Sequence, residues 1–563
     1  MIFLWQNLHK IKIIFLKKLI LENNFLKSLA LKCERCYDKA NKRNAEVKKV
    51  NKDKFYIGID IGTTSTKAVA FRSNGNVEFS CYREYPLYSP DSVIAEQDPE
   101  EIFQKVVDVI EEVLAQEKVK TVGVQLFSFS SAMHGLIVLD SYGRPLTKCL
   151  TWADKRAHES AIEIKEKYEG QKIYERTGTP IHAMSPLAKL HWLKKSQSAL
   201  FESAHKFIGI KEYVIFRLFG KYLIDYSLAS ATGLFNLTDL TWDKDILELL
   251  GLTTEKLPEP VPTTYVLRNL KEFYRSKWGM TETIPFVIGA SDGVLSNLGV
   301  NAVEPGAVAI TIGTSGAIRT VTDKPVSDPK GRIFCYALTD KHWVIGGAVN
   351  NGGIVLRWIR DELASTEVET AKRLGIDSYD LLTQIAEKVP PGADGLLFHP
   401  YLAGERAPLW DSNARGSFFG LGLHHKKEHL IRSALEGVIL NLYTVMLALQ
   451  EVIGLPSKIQ ATGGFARSKV WRQMLADIFN QEVSVPESIE SSCLGAVVLG
   501  MYALGEIEDF TVMEKLVGNT QPHEPIEKNV LMYQDLIPIY IHFSRLMEEE
   551  YERIADYQRK WES

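Results

Sequence analysis

From residue 54 onward, short apolar runs alternate with longer amphipathic ones. FYIGID at 55–60, AVAFR at 68–72, TVGVQLFSF at 121–129 and LIVLD at 136–140 are rich in β-branched and aromatic residues, which predicts strands. PEEIFQKVVDVIEEVLAQEK at 99–118 has apolar residues at spacings of three and four, preceded by Asp98 as a capping residue and opened by Pro99, which predicts a helix. Strands that alternate with helices indicate an α/β fold.

A small, hydroxyl-rich loop joins the first two predicted strands. Residues 58–71 read GIDIGTTSTKAVAF, with Asp60 at the end of the first strand. Such a loop presents several N–H and O–H donors to one point in space, which suits a phosphate group. Gly, Ser and Thr are also common turn residues, so an ordinary hairpin turn is the alternative interpretation of this stretch alone.

The same pattern returns about 250 residues later, which favours the phosphate interpretation. Residues 308–320 read VAITIGTSGAIRT, again an apolar strand, Ile-Gly-Thr, small residues and a second strand. This repeat suggests two duplicated domains that face each other and hold a polyphosphate from both sides. A third loop, IQATGGFARSKVWRQM at 459–474, runs through two glycines into a predicted helix whose N-terminus suits a phosphate or a flat ligand. Neither a GxxxxGK[ST] nor a GxGxxG pattern occurs, which argues against the P-loop and Rossmann classes.

Charge and cysteine usage narrow the class of partner. Residues 1–53 hold 13 Lys and Arg against 5 Asp and Glu, which leaves 53 against 65 in the remainder. The net negative charge of residues 54–563 argues against nucleic acid as the main partner. Six scattered cysteines are typical of a reduced, cytoplasmic protein rather than a disulfide framework, and the lone Cys33–Cys36 pair is a weak zinc motif.

The first 53 residues are apolar but interrupted by lysines. They contain no run long enough to span a membrane and no signal-peptide cleavage pattern, so stable membrane insertion is not expected. We interpret them as an extension outside the fold, with a basic amphipathic helix on a membrane surface as the alternative. The predicted divisions are an extension at 1–53, an N-terminal domain at 54–303, a C-terminal domain at 304–510 and a helical tail at 511–563.

An ordered series of motifs identifies a family resemblance. DIGTTSTK at 60–67, SSAMHG at 130–135, TWADKR at 151–156, MSPLAKLHWL at 184–193, GSFFGLGLHHKKEHLIRSALEG at 416–437 and TGGFARSKVW at 462–471 resemble the motifs of the FGGY carbohydrate kinases. The resemblance covers about residues 54–510. It implies two ribonuclease H-like domains, as in actin-like ATPases, with the sugar bound mainly by the first domain and ATP mainly by the second, in the cleft between them.

The resemblance also implies a reaction. It predicts ATP-dependent phosphorylation of a hydroxyl group on a small sugar or sugar acid, and TWADKR with its neighbours favours the branch of the family that converts D-gluconate to 6-phospho-D-gluconate. The xylulokinase branch shares the Met-His turn and is the alternative. An actin-like ATPase that serves as a chaperone or filament subunit is the alternative outside enzymes. The sequence leaves monomer and homodimer open.

Two acids are the candidate catalytic residues. Asp292, in VIGASDGVLSN at 287–297, lies where an apolar strand ends and a helix would begin. A helix cap is the ordinary role of such an aspartate, whereas the resemblance implies the general base that deprotonates the sugar hydroxyl. Asp60 is predicted to orient Mg²⁺ through water, with turn stabilisation as the alternative.

The resemblance extends to the binding residues. The predicted contacts to ATP are Thr63, Thr64, Ser65, Lys67, Gly313, Thr314, Gly353, Gly464 and Ser468. The predicted contacts to the sugar are Met133, His134, Trp152 and Asp154, where Asp154 could instead pair with a neighbouring cation. From their places in TWADKR and MSPLAKL, Arg156 and Lys189 are the candidate cations for the carboxylate of a sugar acid, with surface charges as the alternative.

Overall fold

The computed structural model describes residues 54–91, 93–280, 283–304, 306–486, 490–518 and 520–561, and the described chain is one compact unit. The predictions for residues 1–53, including Cys33 and Cys36, lie outside the described residues.

The first half of the fold is built on one large sheet with small sheets around it. Its strands are β1 Phe55–Ile61, β2 Ser65–Phe71, β3 Val77–Glu84, β4 Glu96–Gln97, β5 Val124–Ser131, β6 Ile137–Leu139, β7 Cys149–Leu150, β8 Lys206–Ile208, β9 Leu223–Asp225, β10 Phe235–Asn236, β11 Thr241–Trp242, β12 Glu259–Val261, β13 Val266–Leu267 and β14 Phe286–Ser291. The large sheet has the order β13-β14-β5-β1-β2-β3, and the other strands form two-stranded pairs.

The second half repeats this plan. Its strands are β15 Ala307–Ile312, β16 Gly316–Thr322, β17 Phe334–Ala337, β18 Trp343–Val349, β19 Leu397–His399, β20 Ser417–Phe419, β21 Lys458–Thr462, β22 Val483–Pro486 and β23 Thr520–His523. The large sheet here has the order β17-β18-β16-β15-β21-β22-β23, and β19 pairs with β20.

The two large sheets share one topology. In the first, β1, β2 and β3 are antiparallel neighbours, and β5 and then β14 continue the sheet parallel to β1. In the second, β15, β16 and β18 are antiparallel neighbours, and β21 and then β22 continue parallel to β15. This equivalence confirms the prediction of two duplicated ribonuclease H-like halves. Because β1 and β15 occupy the same place in their sheets, the two Ile-Gly-Thr loops are structural equivalents.

Helices cover both sheets and supply much of the core. They are Pro99–Ala115, Glu117–Val122, His158–Lys167, Gly170–Thr177, Pro186–Ser196, Ser198–Ser203, Ile210–Phe219, Tyr226–Ser230, Lys244–Leu250, Glu272–Lys277, Asp292–Gly299, Gly353–Trp358, Ser365–Leu374, Ser378–Glu387, Lys427–Ile453, Lys469–Phe479, Ser491–Ala503, Met513–Leu516, Glu527–Leu546 and Glu548–Trp561. The predicted cap of the first helix is confirmed, since Asp98 accepts hydrogen bonds from the amides of Glu100 and Glu101. Among the described helices, Lys427–Ile453 is long and apolar enough to cross a membrane, but 78% of its apolar window is buried inside the protein.

Glycines let two helices at the junction of the halves pack backbone to backbone. The helix Asp292–Gly299 lies against Ser491–Ala503, where a Cβ on Gly495 would stand 2.0 Å from the carbonyl oxygen of Leu295. A Cβ on Gly299 would likewise stand 1.8 Å from the carbonyl oxygen of Ser491. Any larger residue at these positions would separate the helices, so this contact sets where the helix that begins at Asp292 lies.

The C-terminal segment is more than a pair of packed helices. Residues 520–523 form β23, which pairs antiparallel with β22 at the edge of the second large sheet. The two helices that follow cover the second half, where His399 Nε2 lies 3.0 Å from the carbonyl oxygen of Tyr540. The segment therefore completes the second half of the fold.

Candidate active site

The first glycine-threonine loop is a tight turn held from behind. The amide of Gly62 donates to the carbonyl oxygen of Ser65 at 3.0 Å and closes the turn. The carbonyl oxygens of Gly62 and Thr63 accept from the Tyr85 hydroxyl at 2.6 Å and from Gln97 Nε2 at 2.5 Å. Thr63 is half-buried and Thr64 is exposed. With its carbonyl groups engaged, the loop is a site of donors rather than acceptors.

The second loop has the same closing bond and a glycine behind it. The amide of Gly313 donates to the carbonyl oxygen of Ser315 at 2.9 Å, and the amide of Gly353 donates to the carbonyl oxygen of Gly313 at 2.6 Å. A Cβ on Gly353 would stand only 2.8 Å from that carbonyl oxygen. The structure therefore places Gly353 directly against the loop that carries Gly313 and Thr314.

The third loop meets the second at the end of β15. A Cβ on Gly463 would stand 2.3 Å from the carbonyl oxygen of Ile312, the residue before Gly313. Gly464 is exposed, and no atom lies within 4 Å of the position that its Cβ would take. Ser468 caps the helix Lys469–Phe479 by accepting from the amide of Trp471 at 3.2 Å. Its hydroxyl proton is not used in that cap.

Lys67 is the one predicted phosphate contact with a strong protein partner. Its ammonium group lies 2.8 Å from a carboxylate oxygen of Glu490, at the start of the helix Ser491–Ala503. Lys67 also lies opposite Asp60 in the register of β1 and β2, close enough for their charges to attract. Its charge is therefore partly balanced before any nucleotide binds.

Asp60 and Asp292 come together at the ends of β1 and β14, two parallel-aligned strands on either side of β5. The Ser130 hydroxyl donates to Asp60 Oδ1 at 2.6 Å, and the amide of Gly293 donates to Asp292 Oδ1 at 2.6 Å. Burial, reinforced by the nearby charge of Asp60, raises the pKa of Asp292 to about 6, while the charge of Arg319 opposes the rise. Burial also raises the pKa of Asp60 above its usual range, against hydrogen bonds from Ser130 and Ser492. A carboxylate with a pKa near neutral is suited to accept a proton.

The Met-His turn lies at the junction of the cores. Met133 packs against core residues of both halves. His134 has a left-handed backbone with φ of 68°, and its Nδ1 lies 2.8 Å from the carbonyl oxygen of Ala231. Because a carbonyl only accepts, Nδ1 carries the proton, and burial lowers the pKa of His134 to about 3. The ring is therefore neutral, with Nε2 left as a hydrogen-bond acceptor.

Trp152 joins the TWADKR segment to the first glycine-threonine loop. Its indole nitrogen donates to the Thr63 hydroxyl at 3.0 Å. The guanidinium carbon of Arg406, from the second half, lies 4.8 Å from the centre of its ring. Trp152 therefore stands where the two halves of the protein meet.

Asp154 and Arg156 bind each other. The Asp154 side chain is fully buried, accepts from the amide of Ala95 at 3.1 Å and pairs with Arg156 at 2.7 Å. Arg156 also pairs with Glu96 at 2.5 Å and stacks on Trp192. The ion-pair alternative for Asp154 fits these contacts, and the predicted role as a sugar-hydroxyl acceptor does not. Arg156 is held by two carboxylates, so the role predicted for it with a third one is not favoured.

Lys189 has a different task from the one predicted. It is completely buried, and its ammonium group donates to the carbonyl oxygens of His134 at 2.7 Å, Leu150 at 3.2 Å and Thr151 at 2.6 Å. These three bonds use all three of its protons. Lys189 thus ties the Met-His turn to the segment that carries Trp152, and contact with a substrate carboxylate does not fit.

Sequence reasoning missed a buried acid behind the second loop. Glu405 accepts from the amides of Asn350 at 2.5 Å and Arg406 at 2.8 Å, and from the side-chain nitrogens of Asn351 at 3.0 Å and Asn441 at 2.8 Å. It holds the segment that leads into Gly353. No local sequence pattern predicts the role of Glu405, because the four groups that donate to it come from three separate segments of the chain. Arg319 was missed as well, although a charged residue inside the apolar run GAIRTV is a signal in itself.

Two models of known families match this chain. The N-terminal domain of the FGGY family of carbohydrate kinases matches residues 55–299, and the C-terminal domain of the same family matches residues 308–504. The chain belongs to the FGGY family of carbohydrate kinases. This FGGY kinase is 59% identical over 506 residues to the gluconokinase of Bacillus subtilis (strain 168), a match that covers 90% of this chain and 98% of the relative.

Two further relatives place this FGGY kinase within its family. The crystal structure of gluconate kinase from Lactobacillus acidophilus shares 39% identity and superposes with a TM-score of 0.83, covering 89% of this chain and 99% of that one. The xylulose kinase of Bacillus subtilis (strain 168) is 29% identical over 490 residues, which cover 86% of this chain and 96% of the relative. The solved relative confirms the two-domain kinase fold.

Proposed function

We propose that this FGGY kinase transfers the γ-phosphoryl group of ATP to the 6-hydroxyl of D-gluconate. The observation that carries the proposal is the position of Asp292, a carboxylate of raised pKa beside Asp60 where β14 ends. The identity of 59% to a gluconokinase supports gluconate as the acceptor, and the lower identity of 29% to a xylulose kinase makes that sugar the second candidate.

Asp292 acts as the general base. It accepts the proton of the 6-hydroxyl as that oxygen attacks the γ-phosphorus, and the bond from the γ-phosphorus to the bridging oxygen of ADP breaks. A sugar hydroxyl is too weak an acid to ionise alone at neutral pH, and a positioned base contributes about 10²–10⁴-fold to the rate. The bond from the Gly293 amide to Oδ1 fixes the carboxylate, which leaves Oδ2 for the substrate.

The two glycine-threonine loops hold the polyphosphate. Thr63, Thr64 and Ser65 donate from the first loop, and Gly313 and Thr314 donate from the second. Lys67 adds positive charge, while Gly464 and Ser468 lie at the adenosine end. Stabilising the charge on the transferred group and aligning it with the acceptor supply most of the catalysis in reactions of this type.

Asp60 is the residue that fits Mg²⁺. Among the described residues no group of three His, Cys, Asp or Glu side chains is arranged to hold a metal ion. Mg²⁺ keeps several waters and is commonly bound through one or two carboxylates and substrate phosphates, so a single aspartate at the loop suffices. The ion would neutralise charge on the phosphates, and Asp60 would orient its water shell.

Met133, His134 and Trp152 form the sugar side. The neutral His134 accepts a hydrogen bond from a sugar hydroxyl through Nε2, and the Trp152 ring packs against the carbon chain. We place the enzyme in the cytoplasm, because the four cysteines in the described part of the chain, Cys81, Cys149, Cys335 and Cys493, are buried free thiols, as a reducing compartment favours.

ADP formation measured with gluconate, xylulose, ribulose, glycerol and fuculose tests the proposal. We expect the highest kcat/KM with gluconate and little ATP hydrolysis without an acceptor. Asp292→Asn should remove nearly all turnover and leave ATP binding close to normal. A variant that keeps more than about a tenth of the wild-type kcat would show that Asp292 is not the base. Acceptor-independent ATP turnover would instead favour an actin-like ATPase.

A further inference from the structure

Four side chains around the candidate active site carry buried polar atoms that nothing in the described structure satisfies. They are Arg319 with Nε and Nη1, Arg406 with Nε, His182 with Nε2 and Tyr336 with its hydroxyl. His182 Nδ1 accepts from the amide of Met184 at 3.2 Å, so its Nε2 carries the ring proton and is a donor. All four groups can donate. Leaving a buried donor without a partner costs about 1–3 kcal/mol for a neutral group and more for a charged one, so a shared partner is expected.

The two arginines reach the first half of the protein from the second. Arg319 lies on β16, and its guanidinium packs on the backbone of Gly293, where a Cβ would stand 3.0 Å from Nη2. Arg406 follows Glu405 and packs on the ring of Trp152 at 4.8 Å. Their guanidinium groups therefore stand beside the residue after the proposed base and beside the proposed sugar platform.

The sheet itself places Arg319 and Tyr336 on one face. Arg319 pairs with Gly346 of β18, and Gly346 pairs on its other side with Phe334 of β17. Residues directly opposite one another in a sheet point to the same face, so Arg319, Gly346 and Phe334 share one face. Tyr336, two positions after Phe334 on β17, points to that face as well. Gly346 has no side chain, and a Cβ there would stand 3.1 Å from Cγ of Arg319, so the Arg319 side chain lies directly over Gly346. Phe334 and Tyr336 stack at 4.3 Å on the same face.

The available acids do not neutralise both arginines. Glu405 already accepts four hydrogen bonds through its two oxygens, two from backbone amides and two from asparagines. Asp292 is the remaining acid near Arg319, and the reaction needs it free. Burial, with repulsion by Arg406, lowers the pKa of Arg319 to about 10, so Arg319 stays charged at neutral pH, and a guanidinium such as that of Arg406 keeps its proton in proteins. Two buried like charges with free N–H groups make a site for an anion.

We propose that Arg319 and Arg406 bind the carboxylate of the sugar acid, with the His182 and Tyr336 donors beside them. The inference rests on the proposed function, because it requires an acidic acceptor. This site distinguishes an acid from a neutral sugar, because with a neutral acceptor Nε and Nη1 of Arg319 and Nε of Arg406 remain without a partner, while Nη2 of Arg406 keeps its bond to the carbonyl oxygen of Val349 at 3.0 Å. Arg156 and Lys189 are then positioning residues for the Trp152 segment rather than carboxylate ligands.

Parallel kinetics on D-gluconate and D-glucitol test this. Glucitol has the same chain of hydroxyl groups with CH₂OH in place of the carboxylate. The difference between the two acceptors therefore measures the contribution of the carboxylate. We expect R319M and R406M each to lower kcat/KM for gluconate about 10- to 100-fold more than kcat/KM for glucitol, because both acceptors share any effect on Asp292 and Trp152 and only gluconate loses the contact to its carboxylate. R319K keeps the positive charge but loses the two-pronged geometry of the guanidinium group. Its kcat/KM for gluconate should therefore lie between the values for R319M and the wild type.

Arg156→Met is the control, since Arg156 is an arginine of the Trp152 segment whose Nε and Nη2 are already paired with Asp154 and Glu96. It should lower kcat/KM for both acceptors by the same factor, because it disturbs the Trp152 segment. Thermal unfolding of every variant checks that it is folded. Calorimetric titration of gluconate into wild type and R319M, without nucleotide, gives a readout that does not depend on turnover, and R319M should bind at least tenfold more weakly.

The outcomes separate the two ideas. Equal losses on gluconate and glucitol, or gluconate binding by R319M within twofold of wild type, would overturn the carboxylate site while gluconate phosphorylation by the wild type stood. A wild type that phosphorylates a neutral sugar and neither binds nor phosphorylates gluconate would overturn the proposed function itself, and this inference with it.

Discussion

The indole nitrogen of Trp152 donates to the hydroxyl of Thr63 at 3.0 Å. Trp152 belongs to the segment that we propose binds the sugar, and Thr63 belongs to the loop that we propose binds the phosphates. The two residues are 89 positions apart in the chain. Thr63 accepts this bond and retains its own proton, so the same hydroxyl can donate to a phosphate oxygen. A single threonine thereby connects the position of the acceptor to the position of the phosphoryl group.

We predict that this bond couples the two substrates. Trp152→Phe removes the donor and keeps a ring, while Thr63→Val removes the hydroxyl and keeps the shape. Each variant should lower kcat by about tenfold, because the acceptor hydroxyl and the phosphoryl group are then less well aligned with each other. The double variant should lose less than the product of the single losses, because both single changes break the same bond. Strictly multiplicative losses in kcat would contradict the coupling.

The pH dependence of kcat/KM should follow Asp292. The base works only when ionised, and burial raises its pKa to about 6. As pH falls through 6 the carboxylate takes up a proton, so kcat/KM should halve near pH 6 and then drop about tenfold per pH unit. Direct detection of ADP from pH 5 to 8 measures this without coupling enzymes. A flat profile down to pH 5 would exclude Asp292 as the group that controls the rate.

Asp292→Asn should also stabilise the protein above pH 6. The folded-state pKa lies above the unfolded value near 3.8, so ionising Asp292 costs folding free energy once the pH exceeds both. The variant avoids that cost, which is of order 2 kcal/mol for this partly exposed group. The difference in Tm between variant and wild type should grow from pH 4 to pH 6.5 and then stay constant.

Lys189→Met should damage the fold and the sugar site together. The change leaves the carbonyl oxygens of His134, Leu150 and Thr151 without their buried donor. We expect a loss of about 2–4 kcal/mol in the free energy of unfolding, measured with urea. Activity on gluconate and on glucitol should fall by the same factor. Lys195→Met, on the exposed face of the same helix, should change stability by no more than about 0.5 kcal/mol.

Two glycines predicted to line the nucleotide should respond differently to alanine. Gly353→Ala places a Cβ 2.8 Å from the carbonyl oxygen of Gly313, so the second phosphate loop must move and affinity for ATP should fall about tenfold or more. Gly464→Ala meets no atom within 4 Å and should fold as well as the wild type. Any loss of ATP affinity in Gly464→Ala would then report contact with the nucleotide alone. Equal Tm losses in both variants would contradict this distinction.

Much of the fold could be predicted because its signals are local. Short runs of side-chain periodicity predict the strands on either side of each Ile-Gly-Thr loop and the helix capped by Asp98. The repeat of one such run reveals the duplication. Asp60 lies near the end of one apolar strand and Asp292 directly follows another, β14, so both acids could be assigned to strand ends for the same reason. Within TWADKR, however, the motif could not separate residues that contact a ligand from those that hold the motif in place, since both kinds recur with it.

What the sequence determined by itself is therefore the duplicated α/β framework, its glycine loops and the acids at the strand ends, because hydrophobic periodicity and turn chemistry act over a few residues. Only the tertiary structure decided how the cations are used. It buries Lys189 against three carbonyl oxygens, pairs Arg156 with Asp154 and Glu96, and leaves N–H groups of Arg319 and Arg406 unpaired. The physical reason is that a charged side chain acquires its role from partners brought to it across the fold, and those partners lie up to hundreds of residues away in the chain.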